Sequence, residues 1–325
     1  MRQIRSRLPV VYYVCGLNGS DEDGAQIFDR KLLSALMGRR FEIETLRPLH
    51  RRTLCLPLWR GNILALSEIL RRLRMVQREG ARIVLSHERL FDIAHHMSVD
   101  LLIVHNYMPC FRFQGCRVLE IYYRLGSHRF MARAFENARS VIFLSHRDYR
   151  HAVEDFPQLA DKSCVLPPPP HRSDLGLGRI DKIHVSGSDR WLPKRLSRLR
   201  PSEIRQIKTA GFKIDDFGPR PEPAFGLISD RFTVGFKLKL MQMLYVGDAI
   251  ASLSDIRDDV MALAPDYPWW RVVPSVEEAV GWFQGLQRDS LWLEHCRNPA
   301  SLKLPNWDTM AAEIASILRI GNSVR

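Results

Sequence analysis

The sequence predicts an α/β protein made of two Rossmann-like domains, each a parallel sheet covered by helices and facing the other across a cleft. Three observations carry this. The 325 residues, 46% of them hydrophobic, are too many for one ordinary core, and two domains of roughly 150 residues are the default. Short β-branched or aromatic runs alternate with amphipathic stretches along nearly the whole chain, the signature of strand–helix–strand units and therefore of parallel strands. Four consecutive prolines at 167–170 interrupt the alternation near the middle. They fit neither a central strand nor a helix interior and form a stiff connector. A cleft between two such halves is where a ligand pocket is expected.

In the first half, PVVYYVCGL (9–17) is a short buried strand ending at Gly. Its basic flank has the look of a signal peptide, but the apolar run is short and leads into the acidic loop SDEDG. Residues 25–40 carry Ile27, Leu32, Leu33, Leu36 and Met37 near helical spacing, with Asp23 or Gly24 available as N-cap. FEIETLRP (41–48) alternates and stops at proline, completing a strand–helix–strand unit. NILALSEILRRLRMVQREG (62–80) is a long amphipathic helix, ARIVLSH (81–87) a strand and LFDIAHHM a short helix. DLLIVHNY (100–107) is a strand, RVLEIYY (117–123) a further strand, RFMARAFENA a helix, SVIFLSH (140–146) a strand and RDYRHAVEDF a helix.

The alternation restarts after the prolines. KIHVSG (182–187) is a strand, PSEIRQIKTAG a helix, FKIDDFGP a strand and FGLISDR a strand or loop. KLKLMQMLYVG is a helix, DAIASL a strand, SDIRDDVMAL a helix and RVVPS a short strand. One or two helices follow from Ser275, and WDTMAAEIASIL is the last helix. The boundary falls at 168/169: an N-terminal domain over 1–168 and a C-terminal domain over 169–325. Whether the last helix, 307–320, returns to the N-terminal domain stays open.

The net charge of +12 is uneven. Residues 1–170 hold 26 Lys/Arg against 17 Asp/Glu, and the remainder 22 against 19, so an acidic partner is expected on the N-terminal half. Nucleic acid is not that partner, because the basic residues are not interleaved with aromatics and no binding motif is present. The six cysteines lack C-x-x-C spacing and read as reduced thiols. With no run long enough to span a membrane, the chain is expected in the cytoplasm, or peripheral on the inner membrane face.

The stretch GFKLKLMQMLYVGDAIASL (235–253) holds the main chemical signal. Lys237 and Lys239 stand at the start of a helix, where the macrodipole disfavours cations unless an anion is bound there. Gly247 ends the helix before a buried strand. Residues 234–252 resemble the donor-binding segment of glycosyltransferases with the two-domain GT-B architecture, particularly family 4 (group 1). That segment runs E-G-F-x-L-x-x-x-E-A-M-A-x-G-x-P-V-V-A-S, or K-L-x-x-Y-x-A-x-G-x-P-V-V-A in relatives. Gly235, Phe236, Leu238, Gly247, Ile250, Ala251 and Ser252 match the first form, and Lys239-Leu240 the second. The family's paired acids fall on Val234 and Gln242, and Asp230 lies four residues earlier.

Other segments resemble the family in order. LLIVHNYMP is similar to V-V-x-x-x-H-D/N, HVSGSDRWLPK to V-G-R-x-x-x-x-K-G, and NWDTMAAEIASIL to the terminal W-x-x-x-A helix. The resemblance implies a nucleotide-sugar donor such as a UDP- or GDP-sugar, bound by Arg190, Lys194, Gly235, Phe236, Lys239 and Gln242. It implies His105 and Asp230 as catalytic residues, an acceptor-side loop with Gly19, Gly24 and Asn106, retention rather than inversion, and no cofactor or metal. Without the resemblance, His87, His105 and His146 each close an expected parallel strand, the edge where open sheets bind ligands. Asp21 and Asp23 read as a cap rather than a metal motif.

The basic helix around 59–82 sets apolar residues beside Arg60, Arg71, Arg72, Arg74, Arg78 and Arg82. It is either an ordinary surface helix or a docking element for anionic membrane. The expected function is transfer of a sugar to a saccharide acceptor, glycan or polyprenyl-linked, in surface polysaccharide or glycoconjugate biosynthesis. A non-catalytic GT-B module that binds a nucleotide or glycan is the alternative.

Overall fold

The computed structural model of the chain describes residues 10–15, 24–37, 42–46, 63–170, 175–186, 191–216, 222–299 and 302–320. In chain order the elements are β1 (Val10–Val14), α1 (Gly24–Met37), β2 (Glu42–Leu46), α2 (Ile63–Arg78), β3 (Arg82–Ser86), β4 (Val99–Val104), β5 (Arg112–Phe113), α3 (Arg117–Arg124), α4 (Ser127–Glu136), β6 (Ala138–Phe143), α5 (His146–Asp155) and β7 (Ser163–Val165). There follow β8 (Lys182–Ser186), α6 (Leu192–Leu196), α7 (Pro201–Thr209), β9 (Lys213–Asp216), β10 (Phe225–Ile228), β11 (Phe232–Thr233), α8 (Leu238–Val246), β12 (Ala249–Ser252), α9 (Arg257–Leu263), β13 (Trp270–Val272), α10 (Val276–Leu286), α11 (Ser290–Arg297) and α12 (Trp307–Ile320).

The chain divides into two compact bodies. One comprises Met1–Cys110, Ile121–Pro167 and Asn306–Arg325, and the other Phe111–Glu120 and Pro168–Pro305. The first holds a six-stranded sheet in the order β2-β1-β3-β4-β6-β7, every pair parallel. Strands such as VVYYV and VDLLIV are buried almost end to end, as parallel strands covered on both faces must be. The second body holds a five-stranded parallel sheet in the order β13-β12-β10-β8-β9. It also carries the small antiparallel pair of β5 with β11. Both sheets are doubly wound. The chain leaves the first strand toward one edge and crosses back to the other side, which opens a switch point at β1/β3 in one and β8/β10 in the other.

Several elements differ from expectation. Residues 117–123 form a helix rather than a strand. Val118, Ile121, Tyr122 and Leu125 recur at i, i+3, i+4 and i+7, and that period overrides the β propensity of the individual residues. LFDIAHHM resolves into single 3-10 turns, with Ile93–His95 the second of them. The buried side of α1 is Phe28, Asp29, Leu32, Leu33 and Leu36, while Ile27 and Met37 are exposed. Residues 167–170 have no regular structure, as four prolines dictate, and are buried. On α2, Leu70, Leu73 and Val76 are buried in the core of the first body, while Met75, Arg71, Arg72, Arg74 and Arg78 are exposed. Among the described residues no helix is long and apolar enough to cross a membrane.

Candidate functional site

In the first body, the carboxyl ends of β1, β3 and β4 meet a polar cluster. Tyr13, one residue from the end of β1, donates its hydroxyl to Asp29 Oδ1 of α1 at 2.7 Å. Ser86, the last residue of β3, donates to the same oxygen at 2.5 Å. His105, directly after β4, has its Nε2 3.1 Å from Ser86 Oγ. All four side chains are buried. Burial, and then the Asp29 carboxyl, push the Tyr13 phenol well above its ordinary range, so Tyr13 stays a donor. With the Ser86 proton on Asp29, Ser86 Oγ accepts from His105 Nε2–H. The network therefore makes Nε2 of His105 the donor toward Ser86. Asp29 is thus linked to the His105 ring through Ser86 without touching it.

Around His105 the packing is aromatic. Phe28 meets it edge-on with centroids 5.1 Å apart, and the His87 ring lies 5.1 Å away. His87 takes φ +87°, the one positive φ among described non-glycine residues. Such a backbone costs of order 1–3 kcal/mol and collects at functional sites. It lies immediately after β3, at the switch point. Glu88 then accepts from Asn106 Nδ2 at 2.6 Å. The loop bearing His105 and Asn106 is anchored from α5: Asp148 accepts from the Tyr107 N–H at 2.7 Å and Asp155 from the Tyr107 hydroxyl at 2.6 Å. Ser145 caps α5 through the Asp148 N–H.

In the second body, Asp230 follows β10 at the other switch point. Its carboxylate lies 3.4 Å from Lys237 Nζ, and both side chains are buried. The same ammonium donates to the Phe232 carbonyl at 3.0 Å and sits 3.6 Å from the centroid of the Phe232 ring. Phe232 in turn meets Trp191 edge-on at 4.8 Å. Arg231 binds Glu203 of α7 at 2.6 Å, and its N–H donates to Ser197 Oγ just after α6. Gly235 takes φ +65°, a conformation glycine adopts without a side-chain penalty. This turn brings Phe236 and Lys237 to the start of α8, with Lys237 as its N-cap residue.

Past its first two residues α8 is buried throughout. Gly247 ends it in the left-handed conformation at φ +81°, and its N–H and that of Asp248 return to the Met243 carbonyl. A Cβ there would come within 2.7 Å of His295 Nε2, which lies 2.9 Å from the Gly247 carbonyl oxygen. Glycine is required twice over, by conformation and by space.

The structure thus keeps His105 and Asn106 on one loop, with Asn106 held by Glu88. It also groups Asp230, Gly235, Phe236 and Lys237 on one loop that is tied to the α6 segment containing Lys194. Lys239 is half-buried in the first turn of α8, and Gln242 is buried one turn on. Gly24 opens α1. Gly19, Asp21, Asp23, Arg190, Cys55 and the start of the basic stretch at 59–62 lie outside the described residues. His146 begins α5. Sequence reasoning missed Asp29, Ser86 and the Lys237–Asp230 pair. Asp29 had a legible signal: it falls at i with Leu32, Leu33 and Leu36 at i+3, i+4 and i+7, a carboxylate on an apolar stripe. Such a group is buried only when hydrogen-bonded. Ser86 had none, since a serine ending a strand is ordinary.

No family model matches the chain, and no curated protein matches it. Solved structures do. HepE of Anabaena, in complex with UDP and glucose, is similar at a TM-score of 0.57 and 9% identity, covering 97% of this chain and 99% of that one. WaaG, a glycosyltransferase involved in lipopolysaccharide biosynthesis, has TM-score 0.55 and 11% identity, with 94% and 99% covered. A putative UDP-N-acetylglucosamine 2-epimerase of Listeria monocytogenes has TM-score 0.54 and 10% identity, covering 97% of each chain. These likenesses run over both doubly wound bodies, and the chain has the two-domain GT-B fold.

Proposed function

We propose that the protein is a glycosyltransferase that moves a sugar from a nucleotide-sugar, such as a UDP- or GDP-sugar, to a saccharide acceptor. The observation that carries this reading is the polar cluster at each switch point, on a fold matched from end to end by HepE, a protein solved with UDP and glucose and with UDP-glucose. The second body takes the nucleotide diphosphate. Lys194, Lys239, Arg190 and the N–H groups near Gly235 and Phe236 stabilise the charge that develops on the leaving diphosphate, and Gln242 hydrogen-bonds the ribose. Asp230 and Lys237 hold each other, and their part is to fix the loop that opens α8. In the first body His105 faces the reacting sugar, with Asn106, Gly24 and Gly19 on the acceptor side. No metal is needed, and retention of configuration is favoured.

The acceptor in this reading is lipid-linked, a polyprenyl-bound saccharide destined for surface polysaccharide. The enzyme works as a peripheral protein in the cytoplasm, held to an anionic membrane face by the exposed arginines of the 59–82 region. A second reading, a non-catalytic module binding a nucleotide or glycan, is favoured by Val234 and Gln242 standing where the family carries acids.

Thermal-shift measurements against UDP, GDP, CMP and their sugars test the donor site. Saturable stabilisation by one nucleotide, lost in Lys239→Ala, is expected. No response to any of them rejects the proposal. Slow donor hydrolysis, or transfer to added saccharide, then separates an enzyme from a binder, and recovery of an epimerised nucleotide-sugar would point to the chemistry of the epimerase neighbour instead.

A further inference from the structure

The loop that opens α8 is held by a piece of chain from before the prolines. Residues Phe111–Glu120 belong to the second body, although the sequence places them in the first half. Their strand β5 pairs antiparallel with β11, Phe113 opposite Phe232 and Arg112 opposite Thr233. The Gln114 N–H extends the pairing, donating to the Arg231 carbonyl at 2.7 Å. A two-residue strand has little stability of its own, and β5 is the sheet partner of β11.

The same segment fixes a ring. Phe111 and Phe113 lie nearly parallel to the Phe232 ring, at interplanar angles of 22° and 13° and centroid distances of 6.1 and 6.5 Å. Trp191 meets Phe232 edge-on at 4.8 Å and Phe111 at 6.1 Å. All three phenylalanines are buried. Lys237 Nζ sits 3.6 Å from the Phe232 centroid and donates to the Phe232 carbonyl at 3.0 Å. A buried ammonium held this way goes where the ring and carbonyl of Phe232 are. Lys237 is the N-cap residue of α8, so the place of Phe232 sets where that helix begins. The segment also braces itself. Glu120 accepts from the Phe113 N–H at 2.8 Å, and the Cys116 N–H closes a turn on the Phe113 carbonyl at 3.3 Å. Gly115, at φ +83°, makes that turn type II.

We infer that β5 is a positioning element of the nucleotide-diphosphate site in the second body: Phe111 and Phe113 hold the Phe232 ring, and through it Lys237 and the first turn of α8. This rests on the donor reading for what the site binds, but not for how the loop is held. The donor site is then not encoded by the chain after the prolines alone. Its affinity for nucleotide depends on residues 111–114, which follow closely on His105 in the sequence.

The test turns on one backbone atom. Gln114 is exposed and is the second residue of the turn, where a type II turn accepts proline. Gln114→Pro therefore suits the turn, but it removes the N–H that donates to Arg231 and sets a ring carbon against that carbonyl. Gln114→Ala keeps the N–H and is the control. In the full chain without nucleotide, hydrogen exchange of the amides at 231–237, read by mass spectrometry, should quicken about fivefold or more in Gln114→Pro. It should stay unchanged in Gln114→Ala, and exchange in β8 and α10 should not move in either variant. In titrations with UDP and, separately, GDP, the nucleotide that the intact chain binds should bind Gln114→Pro about fivefold more weakly. Gln114→Ala should match the intact chain. Should Gln114→Pro fail to fold, Phe113→Leu, which keeps an apolar side chain but not the stacked ring, carries the same expectations, with circular dichroism as the check.

Unchanged exchange at 231–237 in Gln114→Pro overturns the proposal. A loosened loop with unchanged nucleotide affinity overturns it too, because the loop would then not shape the site. Faster exchange shared by β8 and α10 assigns β5 to general packing and likewise overturns it. An intact chain that binds neither nucleotide rejects the donor reading and the diphosphate assignment with it, while the exchange at 231–237 still decides whether β5 holds the loop.

Discussion

The two switch points solve the same problem with opposite electrostatics. In the first body the carboxylate of Asp29 is buried under two hydroxyl donors, and its influence reaches a histidine through a serine. In the second, the carboxylate of Asp230 faces an ammonium directly, and both are buried. The hydroxyl network ends on an imidazole ring. The ion pair joins two residues of the same loop, and its ammonium also donates to the Phe232 carbonyl. In the proposed reading, proton transfer is assigned to His105 and the Asp230–Lys237 pair shapes the loop that opens α8.

Breaking the ion pair should have the largest effect. Lys237→Met leaves the Asp230 carboxylate buried without its cation and should lower stability by about 3–5 kcal/mol. Adding Asp230→Asn should recover most of the loss. Urea unfolding of the two variants measures this, and a double variant as unstable as the single one would mean packing on Phe232, rather than charge, is what matters. Next is Asp29→Ala, which strands two buried hydroxyls at a cost of about 1–3 kcal/mol. It should also release the Ser86 proton toward His105 and move the ring to the other tautomer, readable in the nitrogen chemical shifts of that ring. Unchanged shifts would disconnect Asp29 from His105.

A smaller effect is expected from His87→Gly, which removes the positive-φ penalty at the switch point and should raise stability by about 1 kcal/mol, less the flexibility glycine adds to the unfolded chain. A loss would mean that the packing of His87 on His105 outweighs the backbone strain. The smallest effect concerns pH. Burial, partly offset by its contact with the Phe130 carbonyl, lowers the His95 pKa below the usual 6.5. The unfolded chain then binds the proton more readily, so stability is full above 6.5 and is lost as pH falls from there toward the folded value. His95→Asn should flatten that slope of the first body, as followed by hydrogen exchange in α4. A steeper slope would place the titration elsewhere.

Most of the fold was legible in the sequence because burial on both faces writes parallel strands as unbroken apolar runs and helices as 3.6-residue stripes. The misread elements were short ones. Residues 117–123 hold enough β-formers to mimic a strand, and nothing local says that no neighbouring strand is available. The site was legible where it depends on position along a strand. His87 and His105 are visible as strand-ending histidines, and Gly247 as a helix stop. The Tyr13, Asp29 and Ser86 contacts join residues 16 and 57 positions apart, which only strand order brings together.

By itself, then, the sequence determined the two α/β halves, the proline break, the helix-stopping glycine and the histidines at the sheet edge. Each is set by the periodicity or conformational limits of a few adjacent residues. Tertiary structure alone decided which cation pairs with Asp230, that Ser86 links Asp29 to His105, and that Leu70, Leu73 and Val76 of α2 are buried while Val118, Ile121 and Tyr122 of α3 are exposed. Those outcomes depend on what packs against a side chain from distant parts of the chain, and a one-dimensional pattern specifies a face without specifying what covers it.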